Sequence, residues 1–245
     1  MMIKSKLLFV FLGWGFVIPF AHSQNVDHIA GDNSMGGHFV KRIEYNIRSW
    51  HDRSHNLDSK GKIEKLFFGD FNAEVEFFYL PSEEAAYGEA YSCFRIVRGA
   101  SYTSYAFEVK YISNYREAQK KAEEKYPTKG YNLTTEHNKA ALSKQNEEAL
   151  KLYKIEKRIF PVSSQFAEKL YGKMVSFIDN FKAKGVPPII FDGYSVIFRT
   201  VVDDEVWSLD VHEPQGNALK MADLCRQIIT DAKANTFEES KYVVR

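Results

Sequence analysis

The chain has 245 residues, with 33 Lys and Arg against 32 Asp and Glu and a net charge of +1 at pH 7. That balance gives no global attraction to nucleic acid or to an anionic membrane, and an aromatic share of 15% argues against a chain that stays disordered. The length suits one large domain or two small ones, and two cysteines are too few for a disulfide scaffold.

The first segment has the three parts of a secretory signal peptide. Lys4 and Lys6 precede an apolar run from Leu7 to Phe20, and Ala21-His22-Ser23 places small residues at positions −3 and −1 of a cleavage site before Gln24. The run is shorter than the roughly 20 residues a spanning helix needs, and Pro19 interrupts its end. No cysteine follows it to carry a lipid. Residues 1–23 are therefore read as cleaved, leaving a secreted or periplasmic chain with no membrane span. Residues 24–38 are rich in Gly, Asn and Asp without periodicity, as in a flexible leader. From Phe39 to Arg48, Ile43, Tyr45 and Ile47 alternate with Arg42, Glu44, Asn46 and Arg48, the period of a strand. A polar connection runs on from His51 to Lys62.

Four further strands are predicted as two hairpins. Ile63–Phe68 and Ala73–Leu80 flank Gly69-Asp70-Phe71-Asn72, and Glu89–Arg98 and Tyr102–Ser113 flank Gly99-Ala100-Ser101. Short loops between successive strands favour an antiparallel meander. The middle third is helical in pattern. Asn114 is placed to cap a helix through Tyr126 that Pro127 and Gly130 end, and a second helix spans Glu136–Arg158 with a thin apolar stripe. A third, Ser164–Lys184, aligns Phe166, Leu170, Met174, Phe177, Ile178 and Phe181 before Gly185 and Pro187-Pro188 stop it.

A three-stranded meander follows. It comprises the run from Ile189, a turn at Asp192-Gly193, a strand to Val202, a polar turn at Asp203-Asp204-Glu205, and Val206–Val211. Asn217 then caps a helix to about Ala234, striped by Ala218, Met221, Ala222, Cys225, Ile228, Ile229 and Ala232. The expected fold is α+β: a mainly antiparallel sheet of about eight strands packed by three to four helices, ending in a β-meander and a C-terminal amphipathic helix. Residues 39–235 form one domain, with a sub-boundary allowed near 114–135, and 236–245 are a tail.

Chemistry is harder to find. His51-Asp52-Arg53-Ser54-His55 resembles the H-E-x-x-H arrangement of zinc proteases, since His at i and i+4 share a helix face. Asp stands where the base should be Glu, one methylene longer, the segment lacks a helical stripe, and the third protein ligand a catalytic zinc needs is not evident. His212 follows Asp210 on the polar face of the last strand, as a general base beside a carboxylate could, but no nucleophile can be assigned to it. Gly99-Ala100-Ser101-Tyr102-Thr103 lacks the closing Gly of a nucleophile elbow and lies between two strands. Asp192 and the acidic turn lie at opposite ends of one strand, too far apart to share a metal. Interleaved charges over 116–158 read as solvated helix faces. Phosphate loops and paired CxxC elements are absent, so no cofactor is assigned. Cys93 and Cys225 are read as two separate buried thiols. The feature best suited to a partner is aromatic: Tyr87, Tyr91 and Tyr102, with Arg95, place rings beside polar groups as a peptide or glycan surface does.

The expected function is accordingly that of an exported, non-enzymatic protein binding a protein or glycan partner in the periplasm or extracellular space. The alternative is an exported hydrolase, metal-assisted through the His51/His55 pair.

Overall fold

The computed structural model describes residues 25–29, 39–45, 62–68, 73–81, 90–99, 104–130, 132–181, 193–203 and 205–243. The signal segment 1–23, His51, His55, Tyr87, Tyr102, the loop 69–72 and the run 189–192 lie outside these. In chain order the elements are β1 (Asn25–Ile29), β2 (Phe39–Tyr45), α1 (62–67), β3 (Val75–Leu80), β4 (Ser92–Arg98), β5 (Tyr105–Ile112), α2 (Tyr115–Lys125), α3 (Glu136–Leu152), β6 (Ile155–Val162), α4 (Ser164–Asp179), β7 (Ser195–Val202), β8 (Glu205–His212), α5 (Asn217–Lys233) and α6 (Ser240–Val243).

The fold is α+β. One sheet has the order β1-β2-β8-β7-β3-β4-β5-β6, and β8 through β6 form an unbroken antiparallel run of strands. Beyond β8, β2 joins in parallel and β1 pairs with β2 antiparallel. Central β3 is buried at all six positions, so both faces of the sheet are covered there. Alternation along the strands divides the apolar side chains into two cores. Phe77, Phe94, Phe107, Phe198 and Leu209 face the stripes of α4 and α5 and the Tyr242 ring of α6. On the other face, Phe78, Leu80, Cys93, Ile112 and Ile197 meet Ile63, Phe67 and Phe68 of the α1 segment.

Several expectations fail, each for a local reason. Ile63–Phe68 is not a strand: residues 62–67 are helical, because Ile63 and Phe67 stand one turn apart and both bury. The hairpin expected there is replaced by β3 pairing with β4 and β7. The long second helix stops at Leu152, where Tyr153 turns extended (φ −63°, ψ 132°). Ile155–Val162 then forms β6 along β5, and Pro161, which has no N–H to donate, is tolerated because β6 has that one neighbour among the described strands. Asn114 makes no side-chain cap for α2. It pins the end of α3 instead, donating to the Leu152 carbonyl (2.9 Å) and accepting from the Lys154 N–H (2.6 Å).

The expected tally of strands and helices therefore does not hold as drawn. Two strands, 25–29 and 155–162, fall outside the expected set, and α1 and α6 take the described helices beyond three to four. The β4/β5 and β7/β8 hairpins pair as expected, the latter with Asp203 in left-handed backbone (φ 52°) at its turn. Residues 236–243, placed outside the domain body in the sequence reading, lie against it, with Phe237 stacked on Phe107 at 4.9 Å. No helix among the described residues is long and apolar enough to cross a membrane.

Candidate functional site

Two places gather polar groups where an apolar surface would be expected. The first is a row of charges on the sheet face under α1. Arg199 of β7, Glu76 of β3, Arg95 of β4 and Glu108 of β5 are direct cross-strand neighbours, so the alternation plus, minus, plus, minus follows from register. Arg199 is paired twice, through Nη2 to Glu64 of α1 at 2.6 Å and through Nη1 to Glu76 at 3.7 Å, and its guanidinium lies 5.2 Å from the Phe78 ring. Arg95 Nε donates to Glu108 at 2.8 Å, and Lys157 of β6 closes the row on the same carboxylate at 3.0 Å.

Glu76 is the exception in this row. It is 1% exposed and its Oε1 has no hydrogen-bond partner among the described residues. Burial pushes its carboxyl up to about 7 against the pull of Arg199 and Arg95. Burial also lifts Glu108, but the bonds from Lys157 and Arg95 outweigh it and hold that carboxyl below its ordinary value. Lys110, beside the row, is lowered by burial and by Arg95, and it donates to the Phe67 carbonyl of α1.

The second place is a cleft of about 450 Å³ on the opposite face, between α5 and the adjoining ends of β3 and β4. Its α5 wall presents Asp223, Arg226, Gln227, Thr230 and Lys233, spaced at one to two helical turns; Tyr79 and Ser92 form the sheet wall. Arg226 lies 4.8 Å from the Tyr79 ring and 5.1 Å from the Tyr194 ring, and Asp223 approaches it at 3.7 Å. Tyr194 is held in turn by its backbone, whose N–H donates to Glu213 at 2.6 Å. That carboxylate occupies the space a side chain on Gly193 (φ 114°) would need, 1.7 Å from an ideal Cβ, so the glycine is a geometric requirement of the Tyr194 position. Lys233 sits 4.8 Å from the Tyr111 ring.

No family model, curated protein or solved structure matches this chain. Of the four partner-binding candidates, Tyr87 and Tyr102 lie outside the described residues. Tyr91 packs edge-on against Tyr115 (5.4 Å) and Arg95 belongs to the charged row, so these two share the α1 face rather than the cleft. His51 and His55 are also outside the description. Among the described residues no three His, Cys, Asp or Glu side chains gather as metal ligands.

His212 gains a neighbour that sequence could not supply: its Nδ1 lies 3.1 Å from Ser195 Oγ across the β7/β8 pair. The residues missed by sequence reasoning had uneven signals. Glu76 and Arg199 are lone charges inside apolar runs, Val-Glu-Phe-Phe-Tyr-Leu and Val-Ile-Phe-Arg-Thr-Val-Val, and such charges bury only when paired. Arg226 and Thr230 look like ordinary solvated helix positions and carried no signal.

Proposed function

We propose that the protein is an exported, non-enzymatic binding protein whose partner docks in the cleft between α5 and the β3/β4 strand ends. The observation that carries this reading is the ring-clamped Arg226 in the wall of a polar cleft. Two tyrosine rings restrict its guanidinium, so less rotamer entropy is lost when it bonds a partner. Gln227, Thr230, Ser92 and Lys233 add donors and acceptors around it. A dense set of hydrogen-bonding groups beside aromatic rings suits a glycan first and a polar peptide segment second. Export rests on residues 1–23, and the intact mass of the protein recovered outside the cytoplasm tests it through cleavage after Ser23.

The protein without residues 1–23, screened on glycan and peptide arrays, is expected to bind a glycan. Arg226→Ala should weaken that binding at least about tenfold with an unchanged circular dichroism spectrum. Binding indifferent to Arg226→Ala would move the site elsewhere, and a peptide-only response would change the partner class.

A hydrolase is the second reading, for which Ser195 and His212 offer a pair among the described residues, while His51 and His55 lie outside them. A hydroxyl within hydrogen-bond reach of an imidazole is the minimal nucleophile and base. Ser195 is 2% exposed, which places it behind the binding reading. A fluorophosphonate probe that labels Ser195, with labelling lost in His212→Ala, is the result expected of this second reading.

A further inference from the structure

The charged row and α1 together form a device that neither functional reading uses. Arg199 and Arg95 flank Glu76 in register, one on each side. Each also carries a part of the α1 segment: Arg199 holds Glu64 at 2.6 Å, and Arg95 lies 4.5 Å from the Phe68 ring just past the helix end. The α1 segment therefore lies across Glu76 and excludes water from it. Lys110 adds a clasp by donating to the Phe67 carbonyl, and Ile63, Phe67 and Phe68 contribute apolar contact with Phe78, Cys93 and Ile197.

We propose that α1 is a proton-linked lid, docked on the sheet while Glu76 holds its proton and released as Glu76 ionises. An ionised Glu76 under the docked lid would be a buried carboxylate with one unpartnered oxygen and with Glu64 as a like-charged neighbour. Lifting α1 returns water to it. The charged groups that face Glu76 among the described residues all enter this balance. From α1 comes Glu64, Lys62 and Lys65 being on the exposed side; from β7 comes Arg199, with Asp210 of β8 acting on it. From β4 come Arg95 and the Cys93 thiol, and from β5 come Glu108 and Lys110, with Lys157 of β6 bound to Glu108. Glu108 is held ionised well below neutrality by its two cations, so Glu76 is the carboxyl in this row whose charge changes toward neutral pH. With the carboxyl at about 7 under the lid and near 4.5 when hydrated, docking weakens about tenfold per pH unit between those values, up to about 300-fold, and is flat above.

The two cysteines make this measurable on the full folded chain. Cys93 is fully buried in the core that α1 closes, whereas Cys225 is fully buried in the core on the other face. Labelling with a dipyridyl disulfide, located by peptide mapping and corrected by the rate of an unstructured thiol peptide at each pH, gives the opening equilibrium at each site. Cys93 opening should rise across pH 5–7 and then level, Cys225 opening should stay low, and Glu76→Gln should abolish the Cys93 slope. Glu64→Gln, which removes the lid's grip on Arg199, should raise Cys93 opening at every pH while keeping a slope. A flat Cys93 profile in the unmodified protein, an unchanged slope in Glu76→Gln, or parallel opening of both thiols would overturn the proposal.

Discussion

In an unfolded chain the Glu76 carboxyl titrates near its ordinary value of 4.5; in the folded protein burial moves it to about 7. The folded state thus holds a proton that the unfolded state has released, and the sign of the linkage follows. Stability from this group is fully present below about pH 4.5, declines as pH rises through about 7, and is lost above. The total is on the order of 3 kcal/mol. Glu108 acts in the opposite sense but below 4.5, outside that window. Urea unfolding at pH 5 and pH 8 should show the decline in the unmodified protein and little of it in Glu76→Gln, whose relative stability is greater at pH 8. The variant keeps Arg199 paired through Glu64. Equal pH dependence in both proteins would remove Glu76 as its source.

Among the elements, the C-terminal segment has the clearest energetic role. Phe237 stacks on Phe107 and also meets Phe160 and Phe166 at 5.3 and 5.5 Å, while Tyr242 is 8% exposed and donates to Asp231 at 2.7 Å. Glu239 accepts from the backbone N–H and hydroxyl of Ser163, the residue that caps α4 through the Phe166 N–H. The segment therefore ties α5 to the start of α4. Phe237→Ala should cost about 2–3 kcal/mol, allowing for its partial burial. The change should appear as a lower urea midpoint with an unchanged slope. A loss below about 0.5 kcal/mol, the range of an ordinary surface substitution, would mean that the segment only rests on the surface.

At the scale of the whole molecule, the sheet separates what sequence could specify from what it could not. The stripes of α4 and α5 were legible because they bury one face over several turns, and Phe166, Leu170, Met174 and Ile178 repeat at helical spacing. Alternation identified β4, β5 and β8 for the same reason. Six residues in α1 are too few for either period to declare itself, and β6 was absorbed into the preceding helix because exposed Glu156 and Lys157 read like a solvated helix face. The candidate sites were less legible still. Arg199 joins β7 to Glu76 of β3 and to Glu64 of α1, while Arg226 joins α5 to rings on β3 and before β7, contacts between distant parts of the chain that no local pattern encodes.

Cys93 and Cys225 have a consequence for how the chain must mature. With one thiol under α1 and the other under α5, the sheet stands between them, and a bridge demands Cα atoms within about 7 Å. Because the two side chains point into cores on opposite faces, a Cys93–Cys225 disulfide would require the backbone to leave its native place. Were the chain delivered to an oxidising compartment, as the proposed export implies, it would face a race, in which collapse around β3 sequesters both sulfurs before they find each other. Burial raises both thiols above their ordinary range, so neither presents a thiolate to attack while α1 and α5 stay docked.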